Sequence, residues 1–266
     1  MSRWWRDPLL VSLGPARVRL ARVPRMPGAR TPSWSDVPVE AGATAVDALA
    51  TALQDRRWHG TDAHVGLHAR YVRWMLLPFN DAIATDDEWL AFARVEFDAV
   101  HGERARGWNL QVLSPRYGLP TPACAVDVSL MDDVTRVCEA AGVRVVRFAP
   151  AFSTALESQR PRMGGPVSAF ALIQSDRFTL AVAAAGAWCA LESGRIGDRP
   201  ADALEAALAR ADAGRFAGAS RRLWVQFDGP PAPMPSRLGD WDVVEVDGAT
   251  VRAGGRWWSR LGLAGG

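Results

Sequence analysis

The sequence predicts a mixed α/β protein in which a compact α+β unit lies between two flanks of similar plan. Three observations predict it. Residues 71–150 read as strand, helix, strand, strand, helix, strand. Each flank reads as an antiparallel hairpin or meander, then a helix, then a strand, without obvious sequence identity between the two. Finally, no catalytic constellation stands out anywhere along the chain.

The central unit has the clearest pattern. Its first strand is Tyr71-Val72-Arg73-Trp74-Met75-Leu76-Leu77, stopped by Pro78. Thr85-Asp86-Asp87-Glu88 then fits a capping box, in which hydroxyl and carboxylate each satisfy a backbone N–H. Trp89, Phe92, Ala93, Phe97 and Val100 recur at helical spacing, and Gly102 supplies the stop. Strands are expected over 108–113 and 123–128, a helix from Ser129 to Gly142, and a last strand over 143–148. The order β-α-β-β-α-β is that of a ferredoxin-like unit.

In the first flank, residues 9–13 and 17–23 form a hairpin around Gly14-Pro15-Ala16, with Val18 and Leu20 inward and Arg17, Arg19 and Arg22 mostly in water. Residues 24–38, rich in Pro, Gly and Ser, are expected to be loop. A helix over 44–54 offers Val46, Leu49, Ala50 and Leu53 as its buried stripe, and a strand follows over 63–67. In the second flank, residues 151–166 read as a connection. A meander of strands over 168–173, 178–184 and 187–192 comes next. Pro200 opens an Ala-rich helix over 201–213. A strand over 222–227 leads to a terminal hairpin, 241–246 with 249–253, turning at Asp247-Gly248.

The bulk numbers exclude several functions. With 266 residues, the chain can bury roughly 70–75% of its unfolded surface. Apolar and charged contents of 48% and 23% are those of a soluble globular protein. The net charge is +2, every basic residue is Arg, and these are dispersed rather than striped, which excludes a nucleic-acid footprint. Cys124, Cys138 and Cys189 fall in apolar runs without metal-ligand spacing and read as reduced thiols. No run approaches the ~20 apolar residues of a membrane-spanning helix. The first residues lack the apolar core of a signal peptide. A cytoplasmic protein is expected.

The pattern Tyr71-Val72-Arg73…Leu77-Pro78, Glu88-Trp89 opening a helix, His101-Gly102 closing it, Trp108 and the stretch from Ala123 to Leu130 resembles a bacterial group. That group contains the type IV pilus assembly protein PilM and the cytoplasmic domain of the type II secretion protein GspL. The resemblance implies an α/β, actin-like (ribonuclease H-like) two-lobed fold with an inserted ferredoxin-like β-α-β-β-α-β subdomain. The lobes would be residues 1–70 and 151–266, with the insert at 71–150. It further implies a cytoplasmic scaffold, peripheral to the inner membrane, that binds the cytoplasmic tail of a bitopic membrane protein and helps couple the platform to a motor ATPase.

The nucleotide site of actin-like proteins is degenerate here. Its first hairpin carries Asp-x-Gly, whose Asp handles Mg²⁺. The matching residues are Ser12, Leu13 and Gly14, followed by Pro15, which lacks an N–H donor. The second hairpin has Gln174 and Ser175 in place of such a motif. The adenosine-side glycines are reduced to Gly229 beside two prolines. A Walker-type P-loop is excluded because its Lys does not exist here. Phosphoryl transfer depends almost wholly on metal and donor placement. No cofactor, no metal and no enzymatic activity are therefore expected. An active actin-like ATPase or kinase, and a stand-alone interaction adaptor, are the alternatives.

Other tempting residues read as structural. His64 and His68 would share a face on a helix, but their segment reads as a strand and lacks an HExxH glutamate. Asp86, Asp87 and Glu88, and likewise Asp132 and Asp133, suit the first turn of a helix by charge alone. No serine stands in a G-x-S-x-G context. The Arg-flanked pairs Trp4-Trp5 and Trp257-Trp258 suit either sheet edges or a peripheral membrane contact. The partner groove implied by the resemblance points to Tyr71, Arg73, Trp74 and Trp89, because aromatic and Arg residues are the usual anchors of such grooves.

Overall fold

The computed structural model describes residues 6–24, 33–197 and 199–246. Two compact units account for them. Among the described residues, one comprises the chain up to Gly66 together with Thr135–Phe148, and the other comprises Leu67–Val134 and residues 149–246. The terminal tryptophan pairs, the Asp247-Gly248 turn and the strand expected over 249–253 lie outside the described residues.

The first unit is built on a five-stranded sheet. β1 (Pro8–Leu13) and β2 (Arg17–Arg22) form the expected hairpin, with Leu9 opposite Arg22 and Leu13 opposite Val18. Leu9, Val11 and Leu13 alternate inward and meet Val18 and Leu20, as a half-wet antiparallel pair requires. Part of the stretch expected to be loop is a strand: β3 (Ser33–Pro38) pairs antiparallel with β2. It buries none of its residues and ends in Pro, so its sequence carries no core signal. It holds an edge position through backbone pairing and the Arg17–Asp36 ion pair at 2.8 Å. Helix α1 (Ala45–Ala52) starts on a Thr44–Asp47 capping box. Its buried stripe is Ala45, Ala48, Leu49 and Ala52, a rotation that leaves Val46 and Ala50 half-buried.

β4 (Asp62–Leu67) and β8 (Arg144–Pro150) complete the sheet in the order β3-β2-β1-β4-β8. β8 is the strand that sequence order assigns to the central unit. It lies here instead because β4 holds it. Arg144 Nε and Nη2 donate to the two carboxylate oxygens of Asp62 at 3.1 and 2.7 Å, and Arg144 N–H donates to Thr61 O at 3.1 Å. Helix α3 (Val128–Ala140) precedes β8 and buries Val134 and Cys138.

In the second unit, β5 (Val72–Leu77), β6 (Trp108–Val112) and β7 (Thr121–Asp127) form an antiparallel sheet ordered β5-β7-β6. Helix α2 (Asp86–His101) starts on the predicted Thr85–Glu88 capping box and lays Trp89, Ala93 and Phe97 over Leu77, Leu110, Ala123 and Ala125. Val100, expected on that stripe, is 65% exposed. His101 closes that end of the core instead, stacked on Phe97 at 5.9 Å and edge-on to Trp108 at 5.0 Å.

The segment expected to be a connection begins with a helix, α4 (Ala151–Gln159), which buries Phe152, Ala155, Leu156 and Gln159 at helical spacing. It covers one face of a six-stranded sheet. β9 (Val167–Gln174), β10 (Arg177–Ala184) and β11 (Ala187–Arg195) form the predicted meander. Helix α5 (Pro200–Asp212) opens on its proline and buries Leu204 and Leu208 in the core of the other face. β12 (Arg221–Phe227) runs parallel to β9, and β14 (Trp241–Val246) runs parallel to β12 with the short β13 (Arg237–Leu238) beyond it. No helix among the described residues is long and apolar enough to cross a membrane.

Candidate functional site

The first-hairpin positions are used by the hairpin itself. Ser12 faces Arg19 across the β1–β2 ladder, and the Gly14 N–H donates to Arg17 O at 3.1 Å to close the turn. Gly14 is buried, and Pro15 beside it adds no donor.

The second turn, Gln174-Ser175-Asp176-Arg177 between β9 and β10, is also filled from within its own unit. Gln174 is 2% exposed, and both ends of its amide are bonded. Its Oε1 accepts from the Ala69 N–H at 2.9 Å, and its Nε2 donates to Asp228 Oδ2 at 2.8 Å. Asp228 N–H in turn donates to Ile173 O at 2.8 Å, so the end of β12 is tied to the same turn. Gly229, just past it, is exposed. A carboxylate acting on a metal needs free oxygens, whereas this amide is consumed by the chain.

His68 stands beside this turn and resembles a base for Ser175, with Nε2 3.2 Å from the serine Oγ. The tautomer forbids that role. His68 Nδ1 accepts the Arg70 N–H at 3.0 Å, so in the neutral ring the proton is on Nε2, which donates to Ser175 rather than accepting from it. Burial pushes the imidazole below its ordinary value despite the opposing pull of Asp176 and Asp228. A depressed histidine value means that the unfolded chain binds more protons. Its contribution to stability is therefore complete above about pH 6.5 and is lost as pH falls towards the folded-state value. Burial, with Arg73 nearby, lowers His101 in the same direction. His68→Gln should therefore flatten part, not all, of the loss of urea-denaturation midpoint between about pH 7.5 and pH 5.5.

The four residues assigned to a partner groove separate into two sets. Trp89 is 4% exposed within the core beneath α2, and Trp74 turns to the opposite sheet face, where it meets Phe152 edge-on at 5.6 Å. Both are packing residues. Tyr71 and Arg73 line one cleft of about 270 Å³ together with Arg70, Trp108, Ser129 and Leu130. A 3₁₀ turn over Ala69–Tyr71 sets Arg70 and Tyr71 at its rim. Desolvation, with Arg177 and Arg70 close by, pushes the Arg73 guanidinium below its ordinary value. Desolvation also raises the Tyr71 phenol.

Arg70 and Ser129 carry no motif. The one available signal is the basic-aromatic run Arg70-Tyr71-Val72-Arg73, while the role of Ser129 depends on an Asx turn: its N–H and Oγ bond Asp127 Oδ1 at 2.9 and 2.8 Å. A larger cavity of about 390 Å³ is lined by Arg221, Arg237, Asp240 and Asp242, already paired among themselves. Among the described residues no three His, Cys, Asp or Glu side chains could hold a metal together. Burial pushes the Cys124 and Cys138 thiols up to about 12 and about 11, which makes them inert.

No protein-family model and no curated protein matches the sequence. Several solved structures resemble it. The cytoplasmic domain of EpsL, an inner-membrane component of the type II secretion system of Vibrio cholerae, is 14% identical over 90% of each chain, with a TM-score of 0.59. The PilM–PilN type IV pilus biogenesis complex gives 14% identity over 85% of this chain and 82% of the other, with a TM-score of 0.59. A Bacteroides thetaiotaomicron protein of actin-like ATPase fold and unknown function gives 10% identity over 87% and 86%, with a TM-score of 0.58. At these identities the likeness shows the fold alone: a GspL/PilM-like form of the actin-like fold.

Proposed function

We propose that a chain with this EpsL- and PilM-like fold serves as a non-catalytic cytoplasmic scaffold in a type IV pilus or type II secretion-like inner-membrane platform. It holds the cytoplasmic tail of a bitopic membrane protein, which keeps it at the membrane, and passes that attachment on to a motor ATPase. In this reading the β5-β7-β6 sheet and the turn before it carry the tail site, with Tyr71 and Arg73 as its anchors. The observation that carries the non-catalytic part is Gln174. It stands where the second hairpin of an active relative would offer a carboxylate, and its amide is bonded at both ends. The names of the similar structures support the choice of machine, one being an inner-membrane secretion component and another a two-protein pilus complex.

Two measurements test the reading. Isothermal titration with Mg-ATP is expected to give no saturable heat. Affinity purification from detergent-solubilised inner membranes is expected to recover a protein with one membrane span and a short cytoplasmic tail. Saturable Mg-ATP binding with turnover would overturn the scaffold reading in favour of an actin-like ATPase.

A further inference from the structure

The cleft beside β5 has an unbalanced charge with a defined geometry. Arg73 Nη1 donates to Arg70 O at 2.9 Å and to Val72 O at 3.2 Å, which anchors one corner of the guanidinium. Its Nε and Nη2 make no hydrogen bond among the described residues. That is the edge of a guanidinium that receives a carboxylate through two parallel bonds. The neighbouring charges do not neutralise it. Arg70 reaches Asp176 only at 3.9 Å, and Asp127, the one carboxylate lining the cleft against the two arginines, turns Oδ1 to the Ser129 N–H and hydroxyl and makes no ion pair with either arginine. Tyr71, Trp108, Ala125 and Leu130 complete the walls, so a charged corner is framed by aromatic and apolar surface.

We infer that this cleft takes an Asp or Glu side chain of an extended peptide, its carboxylate on the free edge of Arg73 with Arg70 beside it, and its apolar neighbours against Tyr71, Trp108 and Leu130. The inference rests on the tail-binding reading above and specifies the chemistry of the tail. A volume of about 270 Å³ suits one or two side chains rather than a larger body. The mixed lining suits a peptide better than a phosphate surface, which would require a broad basic stripe. Cytoplasmic segments near a membrane span are enriched in Lys and Arg. A carboxylate recognised by Arg73 therefore lies away from that basic segment, and the like charges at the membrane-proximal end fix the direction in which the tail enters.

The test uses overlapping synthetic peptides covering the cytoplasmic tails of the single-span inner-membrane proteins encoded by the same genome, with binding read by fluorescence anisotropy. Bound peptides are expected to share an acidic residue. Its replacement by the amide should weaken binding about tenfold, as should Arg73→Glu in the protein. A peptide with that acid changed to Arg should regain affinity for the Arg73→Glu protein, which also shows that the variant is folded. If rescue fails, Arg73→Gln at an unchanged urea midpoint must still show the loss. Peptides that bind equally well with acid or amide overturn the carboxylate assignment and leave tail binding standing. Binding by no peptide overturns both. Arg73-dependent binding to phosphatidylglycerol vesicles in place of any peptide overturns the inference in favour of a lipid headgroup.

Discussion

Arg221→Met is expected to lower the stability of the second unit by about 3–5 kcal/mol. Arg221 opens β12 with its side chain 9% exposed. One guanidinium nitrogen is bonded to Asp212 and lies 3.2 Å from Asp240, and the other donates to Phe216 O at 2.9 Å. Asp212 is the last residue of α5, where the helix dipole already disfavours a negative charge, and it is 18% exposed. Methionine matches the length of the arginine stem but leaves that carboxylate buried without a cation and Phe216 O without a donor. Asp240 is 78% exposed and contributes little to the loss, because water replaces its partner. Urea denaturation at neutral pH measures the effect. Adding Asp212→Leu to Arg221→Met should recover a large part of it, since removing both charges removes the desolvation problem. A loss below about 1 kcal/mol would show that the pair behaves as a solvated surface bridge.

Much of the architecture is legible in the residues because its signals are local. The Thr85–Glu88 box, the alternation of Leu9, Val11 and Leu13, and the proline at the start of α5 each specify an element from a few adjacent side chains. The failures share the opposite property. β3 buries none of its side chains, Trp34 included, and exists because β2 offers it a ladder, which its own sequence does not encode. α4 is only nine residues long and is followed by Pro161, Gly164 and Gly165, so its buried face is masked by the loop composition of the stretch around it. The sheet that β8 joins depends on Asp62, far away in the chain. The candidate site shows the same division. Arg73 and Tyr71 are legible as an aromatic-basic strand, but Arg70 enters through the 3₁₀ turn at Ala69–Tyr71, and Trp74 and Trp89 leave because strand and helix periodicity turn them inward.

Gln174→Glu changes one atom of the side chain and should cost about 3 kcal/mol at neutral pH. The Ala69 N–H can still donate to the retained oxygen. On the other side, the Nε2 donor now 2.8 Å from Asp228 Oδ2 becomes a second carboxylate oxygen. Two carboxylates at that separation in a buried turn cannot both ionise without strong repulsion, so one of them takes a raised pKa. A carboxyl raised in the folded state destabilises the fold above that value, and protonation relieves it below. The deficit relative to the wild-type protein should therefore be largest near pH 7 and shrink as pH falls, when one proton shared between the introduced carboxylate and Asp228 restores a donor. Urea midpoints of both proteins across this range measure it, and a deficit independent of pH would show that the two carboxylates do not face one another. Gln174→Glu with Asp228→Asn should regain most of the stability, because the exchange restores one donor and one acceptor. An acidic residue at position 174 is therefore accommodated only with a second change at Asp228, because the two side chains share the hydrogen bond that ties the end of β12 to this turn.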